Sequence, residues 1–204
     1  MNSIILNDKE IFPSKVVCIG RNYSEHIAEL NNEVPEEPVF FFKPNSSIGN
    51  ELVFPKGNES CHYEAEISFL IEENKISAVG FGLDLTLREI QSKLKKKGLP
   101  WERSKSFHNS AIFSKFVNIG KDIENLEVEL YINDELKQKG GVNLMITKPL
   151  KIIDELLTFS SFEDGDILMS GTPKGVGKFN IGDVFLGRIL SDNKIIVEKR
   201  FVVQ

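Results

Sequence analysis

Short apolar segments separated by turn residues dominate the C-terminal half of this sequence. Apolar runs or alternations appear at 67–71, 126–132, 166–170, 183–190 and 194–203, with Asn, Asp or Gly residues between them. The pair Asn133-Asp134 follows the second segment and predicts a hairpin turn. Helical segments do not alternate regularly with these strands, which disfavours a parallel βαβ sheet. The pattern predicts an α+β, mostly β fold with a few short helices.

Two of three predicted helices are marked by their first residues. The first follows Asn22, a candidate N-cap, and runs to Leu30, and Glu25 three residues after Asn22 favours that start. Another helix covers about 148–158 and begins with Pro149. Proline suits the first helical position because its missing N–H would have no partner there.

The helix between these two has signals at both ends. Thr86 and Glu89 match a capping box, in which each side chain bonds the backbone N–H of the other residue. Gly98 and then Pro100 end the helix. The lysines at 95–97 fall in its last turn, where the helix dipole favours cations, so they need no binding partner.

Composition and charge limit the classes of partner. The chain has 204 residues, 41% of them hydrophobic and 27% charged, which predicts one folded domain spanning 1–204. Its net charge of −5 gives no basic surface for nucleic acid. No run approaches the roughly 20 apolar residues of a membrane span, and the first residues do not resemble a secretory leader. With two cysteines, Cys18 and Cys61, we expect a cytoplasmic protein in a reducing compartment.

The segment HYEAEIS (62–68) places two glutamates two residues apart. On a strand, Glu64 and Glu66 would point to one face, while the apolar residues that alternate with them point to the other. Like charges about 7 Å apart on one face repel one another. One interpretation is the solvent-facing side of an amphipathic strand. The other is a cation held between the two carboxylates.

A third carboxylate follows the glutamates in the chain. Asp84 is the only charged residue in VGFGLDLT (79–86), and a lone buried carboxylate must be paired, hydrogen-bonded or metal-bound. It could bond backbone amides at the start of the second helix, or join Glu64 and Glu66 around one ion. Three carboxylates form a hard oxygen set that suits Mg²⁺, Mn²⁺ or Ca²⁺ and suits zinc poorly.

Six motifs occur in order over most of the chain. They are GRNYxxHxxE (20–29), FFKPxSS (41–47), HYExE (62–66), GLDLTxRxxQ (82–91), KKKGLPWxxxKSF (95–107) and GDxxxxGTPxGVG (165–177). This set resembles the fumarylacetoacetate hydrolase family, most closely its small acylpyruvase-like, oxaloacetate-decarboxylating members. The resemblance implies a mixed β-sandwich roll and a homodimer. It also implies one divalent cation, Mg²⁺ or Mn²⁺ with Ca²⁺ as an alternative, bound by Glu64, Glu66 and Asp84.

The resemblance implies an activity as well. Such proteins hydrolyse the C–C bond of 3-acylpyruvates, and some decarboxylate oxaloacetate, and both reactions leave a pyruvate enolate that the metal stabilises. Hydrolysis also needs an activated water. His26 and Glu29, three residues apart on the first predicted helix, share one face and are implied to form the general base. Decarboxylation needs no such water. Lys105 would offset negative charge near the metal.

Further residues are implied to bind the small 2-oxo acid substrate, namely Arg21, Tyr23, Lys43, Gln91 and Thr172. Thr172 belongs to GTPKGVG (171–177), which matches neither glycine-rich phosphate motif. The backbone amides of this segment and the Thr172 hydroxyl would receive the substrate carboxylate. A plain hairpin turn is the alternative for the segment.

Two other functions stay open. A keto–enol tautomerase, or a 2-hydroxyhepta-2,4-diene-1,7-dioate isomerase, would use the same scaffold. A non-catalytic β-rich module would instead use the carboxylates to hold a structural cation, and metal removal would then unfold it. The sequence does not name the acyl group or the physiological metal.

Overall fold

The computed structural model describes residues 1–29, 35–57, 60–120 and 123–204. Its strands are β1 (Ile4–Leu6), β2 (Lys9–Ile11), β3 (Lys15–Gly20), β4 (Val39–Pro44), β5 (Ile48–Gly49), β6 (Cys61–Tyr63), β7 (Ala65–Glu72), β8 (Lys75–Asp84), β9 (Thr86–Leu87), β10 (Ala111–Phe113), β11 (Val117–Asn118), β12 (Leu126–Ile132), β13 (Glu135–Gly141), β14 (Ile167–Met169), β15 (Gly177–Lys178), β16 (Val184–Ser191) and β17 (Lys194–Val202). Its helices are α1 (Ser24–Glu29), α2 (Arg88–Lys96), α3 (Glu102–Lys105) and α4 (Pro149–Leu156). Within the described ranges, no helix is long and apolar enough to cross a bilayer.

The largest sheet has eight strands. Seven follow the order β4-β3-β14-β7-β8-β10-β5, and β11 pairs with another part of β8. The β3–β14 and β10–β5 pairs are parallel, and the other pairs are antiparallel. The predicted fold class, α+β and mostly β with a few short helices, is confirmed.

A second sheet, in the order β13-β12-β16-β17, packs against one face of the first. Ile67 and Phe81 of the large sheet share the main hydrophobic core with Leu130 and Phe185 of the small one. The sheets approach closely at Gly187, where a Cβ atom would lie 2.4 Å from the Phe81 ring. Two sheets packed face to face around one core form the predicted β-sandwich.

The opposite face of the large sheet is buried as well. Leu70 of β7 and Met169 of β14 pack there with Phe116 and with Ile4 of β1. Because side chains alternate along a strand, β7 has apolar neighbours on both faces, and only its last residue, Glu72, is exposed. The interpretation of the glutamates as the solvent-facing side of an amphipathic strand is therefore wrong.

Several predicted helix and turn signals are confirmed. Asn133 and Asp134 join β12 to β13 with positive φ angles of 51° and 67°, the conformation of a two-residue hairpin loop. Pro149 is the first residue of α4. Gly98, with a φ of 63°, follows the end of α2, as expected for a glycine that terminates a helix.

The predicted start of the first helix needs a correction. α1 begins at Ser24, two residues after Asn22. The Asn22 side chain donates to the carbonyl oxygens of Thr147 and Ser170 and accepts the Thr147 N–H. Asn22 therefore ties the α1 segment to two distant loops instead of capping the helix. Leu30, the predicted last residue, lies outside the described residues.

The predicted capping box at α2 is wrong. Thr86 lies in β9, and its hydroxyl donates to the Asp84 carbonyl oxygen at 3.2 Å. Ser60 instead accepts hydrogen bonds from the N–H groups of the first turn of α2. Its carbonyl oxygen accepts the Arg88 N–H at 3.0 Å, and its hydroxyl accepts the Glu89 N–H at 3.4 Å. A residue far away in sequence thus takes the place of the expected local cap.

Candidate active site

Three carboxylates meet at one end of the β7–β8 hairpin. Glu66 lies in β7, Glu64 precedes that strand, and Asp84 ends β8. The register places Glu66 opposite Gly82, and the Asp84 N–H donates to the Glu64 carbonyl oxygen at 2.8 Å. One oxygen of each carboxylate lies within 4.8 Å of the others. The structure therefore brings the three predicted metal ligands together, and we call them the carboxylate triad.

The triad is buried, so its charge needs compensation. Glu64, Glu66 and Asp84 are 5%, 2% and 1% exposed. Lys105 of α3 donates from Nζ to Glu64 at 2.8 Å, to Asp84 at 2.5 Å and to the Thr86 hydroxyl at 2.7 Å. Burial alone would lower the pKa of Lys105, but Asp84 and Glu64 raise it above its ordinary value. Lys105 is therefore a permanent cation inside the site.

Arg88 of α2 is a second counterion. Its guanidinium pairs with the Glu64 carboxylate. Burial alone would raise the pKa of Glu64, but Lys105 and Arg88 hold it well below its usual value. Glu64 is therefore ionised at neutral pH.

Lys43 of β4 contacts Asp84 from outside the pocket. Its Nζ lies 2.9 Å from Asp84 Oδ1 and donates to the Ser110 carbonyl oxygen and hydroxyl at 3.1 Å and 3.0 Å. It also donates to the carbonyl oxygen of Lys105. Lys43 is fully buried, so its contacts fix the position of Asp84 and of the end of α3.

Glu66 differs from its two neighbours because no lysine, arginine or histidine in the described ranges pairs with it. Its Oε2 accepts the Gly171 N–H at 2.7 Å. Burial, together with the charges of Asp84 and Glu64, raises the pKa of Glu66 well above its usual value. A divalent cation among the carboxylates would remove this repulsion, and carboxylate oxygens are the ligands that Mg²⁺ and Mn²⁺ prefer. The residues present therefore fit a hard divalent cation.

Of the predicted His26–Glu29 pair, His26 lines the same pocket as the triad, and Glu29 lies beside it. His26 Nδ1 lies 3.5 Å from Glu29 Oε2, and the Gly175 N–H donates to both Glu29 oxygens at 3.1 Å and 3.2 Å. Burial lowers the pKa of His26 and outweighs the opposite effects of Glu64 and Glu29. The imidazole is therefore neutral at pH 7 and can accept a proton.

The pocket also contains three of the five predicted substrate residues, Arg21, Gln91 and Thr172. The Gln91 side-chain oxygen accepts from Arg88 at 2.8 Å. The Thr172 hydroxyl donates to the Ala65 carbonyl oxygen at 2.8 Å and accepts from Gln138 at 2.9 Å. Because its only proton is already donated, this hydroxyl offers a ligand only its remaining lone pair.

The other two predicted substrate residues lie off this pocket. Lys43 lies behind Asp84, as described above. Tyr23 is 3% exposed and borders a neighbouring cavity beside Pro173, and in the described part of the chain its hydroxyl has no hydrogen-bond partner. The structure thus gives Lys43 a supporting position and leaves Tyr23 beside the site.

Sequence reasoning assigned no role in the site to Arg88, Lys95 or Trp101, which all line the pocket. Arg88 is the arginine of the GLDLTxRxxQ motif, so its place in that motif could have indicated a role in the site. Lys95 was explained by the helix dipole alone. In the structure its Nζ lies 4.6 Å from the centroid of the Trp101 ring, in the pocket wall.

The sequence profile described as fumarylacetoacetate (FAA) hydrolase C-terminal matches residues 15–199, which include every residue of the pocket. The chain belongs to the fumarylacetoacetate hydrolase family. The resemblance carried by the six motifs is thus confirmed.

Individual members of the fumarylacetoacetate hydrolase family agree with this assignment. An oxaloacetate tautomerase of Escherichia coli is 40% identical over 187 residues, which cover 83% of this chain and 85% of the relative. A crystal structure from Oleispira antarctica, described as a fumarylacetoacetate isomerase/hydrolase, has a TM-score of 0.93 at 35% identity and full coverage of both chains. A fumarylpyruvate hydrolase from Pseudomonas aeruginosa, crystallised with Mn²⁺ and pyruvate, has a TM-score of 0.88 at 26% identity, over 100% of this chain and 96% of the other.

Proposed function

We propose that this protein is a divalent-metal-dependent keto–enol tautomerase that acts on oxaloacetate. The observation that carries the proposal is one pocket that holds a buried carboxylate triad, a permanent ammonium group and a neutral imidazole. The 40% identity to an oxaloacetate tautomerase supports the choice of substrate. Acylpyruvate hydrolysis, the first activity implied by the motifs, becomes the second candidate.

Glu64, Glu66 and Asp84 would hold the cation, for which we propose Mg²⁺ or Mn²⁺. When bound, it would supply positive charge for the carboxylate and 2-oxo oxygens of the substrate. Lys105 adds charge from the chain itself, because its ammonium group lies within 2.8 Å of two triad carboxylates and stays protonated. It would favour the negative charge that develops on the 2-oxygen during the reaction.

His26 would be the proton acceptor. The imidazole takes a proton from C3 of oxaloacetate, the electron pair of that C–H bond forms the C2–C3 double bond, and the 2-oxygen becomes negative. Return of a proton to this oxygen gives the enol, and the reverse sequence gives the ketone. Because Nδ1 faces Glu29, we assign the accepting lone pair to Nε2.

Hydrolysis of 3-acylpyruvates is the second candidate. It is favoured by the similarity to the fumarylpyruvate hydrolase structure and by the His26–Glu29 pair, which would serve as the base that activates water. The two reactions differ in their products. Hydrolysis of acetylpyruvate releases pyruvate, whereas tautomerisation only interconverts its keto and enol forms.

The homodimer, the cytoplasmic location and the single domain over 1–204 stay predictions. Light scattering of the purified protein tests the dimer directly. Limited proteolysis tests the domain, since a single domain should resist cleavage between its predicted strands.

The tautomerase proposal is tested by adding the enol of oxaloacetate to purified protein and following its ultraviolet absorbance. We expect faster decay with Mg²⁺ or Mn²⁺ and a return to the uncatalysed rate with EDTA. His26→Gln should lower kcat by about 10²- to 10⁴-fold, the usual contribution of a general base. Glu25→Gln, at an exposed position of the same helix, is the matched control and should keep the wild-type rate.

Each outcome of this assay bears on a different part of the proposal. Wild-type activity in His26→Gln would remove His26 as the base, and full activity in EDTA would remove the metal. Release of pyruvate from acetylpyruvate, without any effect on the enol of oxaloacetate, would favour the second candidate.

A further inference from the structure

The pocket wall contains two cations that form no salt bridge with any carboxylate of the described residues. Lys95 lies near the end of α2, and Arg21 follows β3. By contrast, Lys105 and Arg88 in the same pocket both pair with the triad. Lys95 and Arg21 are therefore free to meet a charge that is not part of the protein.

Lys95 and Arg21 also lie in unfavourable surroundings. Arg21 has a φ of 59°, and its Nε is buried without a hydrogen-bond partner among the described residues. Burial, followed by the nearby charges of Arg21 and Arg88, lowers the pKa of Lys95 to about 8. Unpaired cations that are partly buried side by side repel one another. An anion between them would relieve both the repulsion and the unmet hydrogen bond.

Trp101 fixes the position of the Lys95 ammonium group. The ring centroid lies 4.6 Å from Nζ, a favourable cation–π distance. The indole in turn packs against the Phe41 ring, with centroids 5.9 Å apart. Gly20 lies beneath it, where a Cβ atom would be 3.4 Å from the ring. The ammonium group is thus held on a packed aromatic surface.

We propose that Lys95, together with Arg21, binds the second carboxylate of a C4 dicarboxylate substrate and so selects oxaloacetate over 2-oxo acids with an uncharged distal end. The inference rests on the proposed function, in which the 2-oxo-carboxylate end of the substrate lies at the triad. A dianionic substrate bound in this way still has one carboxylate without a partner. Charge-assisted hydrogen bonds from Lys95 and Arg21 would supply that partner.

The test compares oxaloacetate with acetylpyruvate, which carries an acetyl group in place of the second carboxylate. Lys95→Met removes the ammonium group and keeps an unbranched side chain. The ratio of kcat/KM for oxaloacetate to kcat/KM for acetylpyruvate should fall at least about tenfold, mainly through KM for oxaloacetate, as expected for a lost charge-assisted hydrogen bond. Lys95→Arg should restore most of the ratio.

Lys96→Met is the matched control. Lys96 is exposed and belongs to the same basic last turn of α2, so its loss has a similar effect on the helix dipole but none on the pocket. Equal ratios in Lys95→Met and Lys96→Met would overturn the inference. A loss in Lys95→Met that is equal for both substrates would overturn it too, because it would show a general effect on the pocket.

An inactive wild-type protein would count against the proposed function, and the inference would then be tested by binding. Malate keeps a distal carboxylate, and lactate lacks one. Calorimetry in the presence of Mg²⁺ should show that Lys95→Met weakens malate binding about tenfold more than lactate binding. Equal weakening of the two ligands, or no binding of malate to the wild type, would overturn the inference.

Discussion

Replacement of Lys105 by methionine should make the stability of this protein depend on added metal. Lys105 Nζ lies 2.8 Å from Glu64 and 2.5 Å from Asp84, and methionine fills a similar volume without the charge. Loss of one partner from a buried ion pair costs about 3–5 kcal/mol. For a chain of this size, 1 kcal/mol corresponds to about 2–4 °C, so Tm in EDTA should fall by about 6–20 °C.

A divalent cation should reverse much of this loss. Without Lys105, the Glu64 and Asp84 carboxylates lose a competing cation and attract a metal ion more strongly. A ligand at 100 times its Kd stabilises the folded state by about 2.7 kcal/mol. Saturating Mg²⁺ or Mn²⁺ should therefore raise the Tm of the variant by at least about 5–11 °C, and by more than it raises the Tm of the wild type.

Differential scanning fluorimetry in EDTA and across a metal titration measures both effects. Lys96→Met, which changes an exposed lysine, controls for the loss of one positive charge. An unchanged Tm of Lys105→Met in EDTA would show that Lys105 does not compensate the triad. Equal metal-induced shifts in Lys105→Met and the wild type would refute the placement of the cation among these carboxylates.

Two further predictions concern stability, both measured by urea unfolding. Asp166 is fully buried and accepts from the backbone and side chain of Lys15 at 3.0 Å and 2.5 Å. Because the Lys15 side chain is 23% exposed, Asp166→Asn should cost about 1.5–3 kcal/mol, as for hydrogen bonds to a charged group. Burial alone would raise the pKa of Asp166, but Lys15 and other donors lower it. The contribution of ionised Asp166 to the free energy of unfolding is therefore complete above the unfolded pKa of about 3.9 and is lost as pH falls through the folded pKa. If the cost of Asp166→Asn stayed constant through acid pH, it would contradict this account. Gly187→Ala should cost about 1–3 kcal/mol, because its Cβ would meet the Phe81 ring at 2.4 Å. Gly120→Ala, with no atom of the described residues within 4 Å of the new Cβ, should cost little. Equal costs at the two glycines would argue against close sheet packing.

The strand-rich fold and the grouping of Glu64, Glu66 and Asp84 could be predicted because their signals are local. Short alternating segments separated by turns identify the strands without knowledge of their neighbours. Glu64, Glu66 and Asp84 lie at the same end of two strands that pair with each other. The spacing of these residues on two paired strands therefore also indicates that their carboxylates lie close together.

The features that sequence reasoning missed depend on partners that are distant in the chain. Thr86 satisfies the local pattern of a helix cap, but its hydroxyl lies against Lys105 and Asp84. The burial of both faces of β7 depends on β14 and on a second core, which no single segment reveals. In the sequence, Lys95 looks like an ordinary surface lysine in the last turn of a helix. Its position in the pocket wall, against the Trp101 ring, is visible only in the structure.

The β7–β8 hairpin and the residue directly before it supply all three carboxylates. The groups that would handle the substrate come from three separate helices, with His26 in α1, Lys95 in α2 and Lys105 in α3. Mutations in those helices can change which acid is accepted while the hairpin stays intact. A lineage with this layout could change its range of substrates and keep the same proposed ion-binding unit.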